Sequence, residues 1–140
     1  MKFSLKSLMA IAVFSLAALV TNAQQMTITN YSSCDMLVQI QSKDGSCTTY
    51  NESVVVGSGA TTTVTVANGD YVIGARVRID GCATSPTGLV KDCSASGCTC
   101  TNDNDDTFIS PTGCCGAGDT VLIEFTPDGT DGTLIIDMYP

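Results

Sequence analysis

Over much of the span from Thr61 to Ile79 polar and apolar side chains alternate, and only an extended strand turns such alternation into two distinct faces. The run Thr61-Thr-Thr-Val-Thr-Val-Ala67 leads into Asn68-Gly69, and Asp70-Tyr-Val-Ile-Gly-Ala-Arg-Val-Arg-Ile79 follows. Asn-Gly accepts the positive φ angles of a two-residue hairpin turn. The sequence therefore predicts a β-hairpin with Ala67 opposite Asp70, Val66 opposite Tyr71 and Val64 opposite Ile73. One face then carries Val64, Val66, Tyr71, Ile73, Ala75, Val77 and Ile79. The other carries Thr61, Thr63, Thr65, Asp70, Arg76 and Arg78, interrupted mainly by Val72 and Gly74. A slip of one residue would mix the two sets. The Thr/Arg face is a candidate docking surface for a carboxylate-bearing glycan or a partner protein, because guanidinium groups grip carboxylates through paired hydrogen bonds.

Turn chemistry recurs at Asp44-Gly45, Ser85-Pro-Thr-Gly88, Ser110-Pro-Thr-Gly113 and Pro127-Asp-Gly129. Strands are expected near 26–31, 35–41, 47–50, 53–56, 60–67, 70–79, 120–126 and 133–139. No stretch after residue 23 sustains a helical apolar period. About eight short strands with this punctuation predict an all-β, antiparallel β-sandwich. Residues 81–119 hold six of the eight cysteines and little periodicity, and read as a loop region stapled by disulfides. The C-terminal run Leu134–Tyr139 is expected at a sheet edge, the alternative being a central strand in a monomer that its charge keeps soluble. At an edge its unpaired backbone groups would template a strand from a second copy once cations screen Asp137 and the acidic loops.

Residues 1–23 have the layout of a secretory signal peptide. Lys2 and Lys6 precede the apolar run Leu8–Val20, and Thr21-Asn22-Ala23 supplies small residues before a cleavage point. As a helix the run would rise about 20 Å, short of the roughly 30 Å hydrocarbon core. The expectation is a single secreted domain, 24–140, with no transmembrane segment after cleavage. The leader, ending Asn22-Ala23-Gln24, resembles those of small secreted proteins of Bacteroidota. That resemblance implies an export route and carries no activity with it. The opening Thr27-Ile-Thr-Asn30, Cys34 and Val38-Gln-Ile40 also resembles the first hairpin of thaumatin-like proteins. Their acidic cleft and longer cysteine framework have no counterpart here, so no functional residue is carried over.

In an exported chain, eight cysteines at 34, 47, 82, 93, 98, 100, 114 and 115 predict disulfides. Cys34–Cys47 would clamp the first hairpin, leaving the other six to pair among themselves. A metal–thiolate cluster is the competing reading of Cys-Thr-Cys and Cys-Cys. Histidine is absent, which removes every Ser-His-Asp and Cys-His catalytic arrangement and the commonest general base near neutral pH. Removing Lys2 and Lys6 leaves 4 basic against 14 acidic residues, a net charge of −10, which disfavours nucleic acid and anionic membranes.

Asn102-Asp-Asn-Asp-Asp106 is the densest set of hard oxygen donors, so Asp103, Asp105 and Asp106 are candidate Ca²⁺ ligands. No other cofactor is expected. Asn30-Tyr-Ser32 and Asn51-Glu-Ser53 are N-glycosylation sequons. The composite expectation is a non-catalytic, extracellular structural or adhesive module that self-associates at the cell surface or binds an extracellular glycan or protein. A small Ca²⁺- or glycan-binding module is the alternative, and a small hydrolase comes third.

Overall fold

A computed structural model describes residues 24–92 and 105–140; the leader, Asp103, Cys93, Cys98 and Cys100 lie outside the described residues. The fold is all-β, with nine strands in two mostly antiparallel sheets and no helix among the described residues. The strands are β1 (Gln25–Asn30), β2 (Met36–Lys43), β3 (Thr49–Val56), β4 (Thr61–Thr65), β5 (Tyr71–Ile79), β6 (Gly88–Lys91), β7 (Asp105–Ile109), β8 (Thr120–Asp128) and β9 (Asp131–Tyr139). One sheet runs β4-β1-β9-β8-β7 and the other β3-β2-β5-β6. Alternation drives the layering. Met26, Ile28, Val121, Ile123, Phe125, Leu134 and Ile136 of the five-stranded sheet face Met36, Val38, Ile40, Ala75, Val77, Ile79 and Val90 of the four-stranded sheet.

The expected hairpin at Asn68-Gly69 is not formed. β4 pairs with β1, and β5 pairs with β2 and β6, so the turn carries the chain from one sheet to the other. The local chemistry of Asn-Gly is nonetheless used. Gly69 sits at φ +94°, and a Cβ there would lie 2.7 Å from Ser42 Oγ, which donates to the Asn68 carbonyl at 2.7 Å. A turn signal fixes a local reversal; burial decides which strands pair. Val64 and Val66 pack on one side of the core and the apolar row of β5 on the other.

β5 also contains a bulge. Gln41 opposes Gly74 while Ser42 opposes Val72, which leaves Ile73 as the extra residue. The bulge explains why Val72 and Ile73 are both buried. Gly74 adopts φ +147°, and any Cβ at that position would collide with the Val90 carbonyl oxygen of β6.

Three further expectations are corrected. The predicted strands near 47–50 and 53–56 are one strand, β3. The 81–119 region contains β6 and β7, too short for periodicity to reveal. The C-terminal strand β9 is central, hydrogen-bonded to β1 in parallel and to β8 in antiparallel register, so it offers no free edge. The hairpin at Pro127-Asp-Gly129 is formed, closing at Asp128 opposite Asp131.

Disulfides gather the loops at one end of the sandwich. Cys34 bonds Cys115 and Cys82 bonds Cys114, so the β7–β8 loop is tied to the β1–β2 and β5–β6 connections. Cys47 is also disulfide-bonded, and no described cysteine is free. The expected Cys34–Cys47 clamp is thus overturned, together with the pairing of the other six among themselves. Strand β2 separates these two cysteines, and its eight residues span about 27 Å at roughly 3.4 Å each. A disulfide needs Cα atoms within about 7 Å.

Next to Cys34, Asn30 organises the same end. Its Nδ2 donates to the carbonyls of Cys34, Val56 and Gly57 at 2.8, 3.0 and 3.1 Å. Its Oδ1 accepts from Ser32 N–H at 3.0 Å and Ser32 Oγ–H at 2.6 Å. Fully buried, this sequon asparagine has no amide left for a glycan in the folded protein.

Candidate functional site

The described chain has four cations, and all four lie on one sheet: Lys43 on β2, Arg76 and Arg78 on β5, Lys91 on β6. Strand alternation turns Arg76 and Arg78 outward, side by side, about 6.8 Å apart along the strand. Register sets Arg78 beside Leu37, and Arg76 between Gln39 and Leu89. A groove of about 480 Å³ runs between these side chains and Ser53 and Thr87. No Asp or Glu occupies an outward position on any of the four strands.

Both arginines are exposed, and among the described residues neither guanidinium has a hydrogen bond or an ion pair. Lys91 lies close by. Burial, and then the like charges of Arg76 and Lys43, hold its pKa below the ordinary lysine value. The field over this patch is positive on a molecule that is strongly negative overall. Deeper in the face, Gln41 is buried; its Nε2 donates to Asn51 Oδ1 at 3.1 Å, and its Oε1 has no partner among the described residues.

The threonines that sequence analysis joined to these arginines lie elsewhere. Thr61, Thr63 and Thr65 are on β4, at the edge of the other sheet, on the opposite outer surface. There Thr63, Thr27, Thr133 and Thr126 form one row across four strands. Thr27 and Thr63 hydroxyls lie 3.3 Å apart, and Thr61 Oγ1 donates to Thr29 Oγ1 at 3.2 Å. The joint Thr/Arg face assumed the hairpin, and it separates when the strands pair differently. Leu37, Gln39 and Leu89, which complete the groove, were missed because their neighbours are fixed only by long-range register. The alternation of Met36–Gln41 was the sole local signal.

Of the candidate Ca²⁺ ligands, Asp103 lies outside the described residues, and Asp105 and Asp106 do not converge. Adjacent on β7, Asp105 and Asp106 point to opposite sides of the strand. Asp106 is occupied: its Oδ2 accepts Leu89 N–H at 2.7 Å, joining the edges of the two sheets, and its Oδ1 accepts Thr107 N–H. Asp105 is exposed and stands directly across from Glu124 of β8. No group of three potential metal-binding side chains occurs among the described residues. The Asp128/Asp131 pair closes the β8–β9 hairpin, and Asp131 Oδ1 accepts the Gln25 amide at 2.8 Å. No helix among the described residues is long and apolar enough to cross a membrane.

By architecture, then, the chain is a two-sheet, disulfide-tied β-sandwich with an arginine-lined groove on one outer face. No protein-family model, curated protein or solved structure matches it.

Proposed function

We propose that this protein is a secreted, non-catalytic extracellular module, structural or adhesive, that holds an anionic partner on the outer face of its four-stranded sheet. One observation carries the reading. The chain has 14 acidic residues, yet Arg76 and Arg78 share a groove with no carboxylate paired to either among the described residues. In a chain so rich in acids, internal partners would be the default, and two open guanidiniums are left for an external one. Their spacing suits successive carboxylates or a bidentate contact. The groove lies within the roughly 300–1,000 Å³ usual for ligand sites. Disulfides that tie the loops at one end fit an oxidising, extracellular setting.

The test compares retention on a carboxylated polysaccharide and on its neutral counterpart. The exported protein is expected to bind the carboxylated matrix, and Arg76→Ser with Arg78→Ser to abolish binding while leaving the melting temperature within a few degrees. Equal retention on both matrices would refute the anion-docking reading. Turnover of an ester, peptide or glycoside, lost on replacing one carboxylate, would refute the non-catalytic one.

A further inference from the structure

The outer faces of the two sheets carry opposite charge, and each is uncompensated. On the five-stranded sheet the outward positions include Asp105, Glu124, Asp128, Asp131 and Asp137, and its five strands contain no Lys or Arg. Asp105 and Glu124 stand directly opposite in adjacent strands, an arrangement that destabilises a sheet unless a cation relieves it. On the four-stranded sheet Arg76 and Arg78 point outward, unpaired among the described residues, and Lys91 of β6 lies on the same sheet. What each face lacks, the other displays.

We infer that the partner of the arginine face is the acidic face of a second copy of this chain, giving head-to-tail stacking of sandwiches. The inference rests on reading the arginine face as a docking surface and names its occupant. Apolar residues accompany the charges on both sides: Leu37 and Leu89 beside the arginines with Val55 next to Leu37, and Leu122 and Ile135 beside Glu124 with Ile109 farther along β7. Arginines and apolar side chains together are the usual composition of an interface centre. Because the two faces differ, the contact is heterologous and leaves a free face of each kind at the ends, so it propagates unless a ring closes.

The size of the faces sets the strength. Strands β2, β3, β5 and β6 are 8, 8, 9 and 4 residues long; at about 4.8 Å between strands and about 3.4 Å per residue they give roughly 470 Å² per side, or about 950 Å² buried in all. That is the lower limit for a specific interface, so stacking is reversible and grows with concentration. Ionic strength acts in two directions. At about 0.15 M salt the Debye length is near 8 Å, which hides the remote −10 charges from each other while touching pairs still attract.

Sedimentation velocity on the exported protein, from micromolar to millimolar concentration, tests this. The expected result is progressive growth at intermediate salt, reduced at very low and at molar salt. Two variants separate the faces: Arg76→Ser with Arg78→Ser, and Asp105→Asn with Glu124→Gln. Each alone is expected to remain monomeric with an unchanged circular dichroism spectrum. Mixed together, they are expected to form a one-to-one dimer and nothing longer, since each retains one intact and complementary face. A wild-type monomer throughout would overturn the stacking inference; polysaccharide retention reports separately on the docking surface. Growth that stops at a dimer, or that survives the Asp105/Glu124 change, would also overturn it.

Discussion

Replacing Asn30 with Asp exchanges the amide nitrogen for oxygen at a buried side chain that makes five hydrogen bonds. The carboxylate keeps both bonds from Ser32 but loses the Nδ2 donors that serve the carbonyls of Cys34, Val56 and Gly57. Two protons are removed at a fully buried site: the Val56 carbonyl loses its side-chain donor, while the Gly57 carbonyl keeps Ala60 N–H and the Cys34 carbonyl is left to share Ser32 Oγ–H with the new carboxylate. At roughly 1–3 kcal/mol for a buried group left unsatisfied, with the cost of a buried carboxylate facing these carbonyls added, the loss is about 2–5 kcal/mol. Burial disfavours the charged form, so the introduced carboxyl has a raised folded-state pKa. The folded state then binds more protons than the unfolded chain above about pH 4, and stability falls as pH rises. Urea unfolding, followed by circular dichroism because the chain has no tryptophan, is the assay. Asn30→Asp is expected to be about 4 kcal/mol less stable than wild type at neutral pH and to recover part of that in mild acid. Asn30→Ala is expected to lose a similar amount with no such recovery. A loss under about 1 kcal/mol at neutral pH, or one identical in mild acid, would refute the account of Asn30 as the organiser of the loop end.

Three further outcomes follow from the fold. Removing the Cys34–Cys115 bond by a double Ser substitution releases a constraint across 81 residues; loop-closure entropy puts the loss near 4.5 kcal/mol, and thermal unfolding should show it as a large fall in melting temperature. Gly74→Ala must displace the Val90 carbonyl at the β5 bulge and should cost about 2 kcal/mol or more in the same urea assay, whereas Gly59→Ala, in open space, should cost less despite its positive φ. Tyr139 donates to Asp137 Oδ2 at 2.7 Å, which raises the phenol pKa above 10. The bond therefore stabilises the fold below pH 10 and is lost as pH rises through the folded-state value; ultraviolet titration should show Asp137→Asn lowering that pKa.

The sandwich class and most strand positions were legible, because alternation is a local property and the core follows it. Pairing was not. Asn68-Gly69 fixes the backbone of two residues, but whether β4 returns on β5 or crosses to β1 depends on contacts with residues 25–29, about forty positions away. The cysteine pairing failed for a related reason: a spacing of thirteen residues looks close until a full strand is known to lie between. Arg76 and Arg78 were found because i, i+2 spacing on a strand is legible locally. Their groove, and their separation from Thr61, Thr63 and Thr65, depended on register that no local pattern records. Asp105 and Asp106 formed a cluster in the sequence, and the same alternation that revealed strands elsewhere pulls them apart.

The parallel pairing of β1 with β9 also bears on when this protein can fold. Met26 meets Gly132 and Asn30 meets Ile136, so the first described strand waits for the last. A nascent chain that has emerged only as far as β8 has no strand to place between β1 and β8, and the five-stranded sheet cannot close. Contacts this distant in sequence are slow to form. An unfinished chain of this topology can assemble the β3-β2-β5-β6 sheet but not the five-stranded one while its C-terminal strand is still being synthesised. The ties Cys34–Cys115 and Cys82–Cys114 join residues that all precede that final strand, so covalent closure of the loop end and completion of the sheet are separate events.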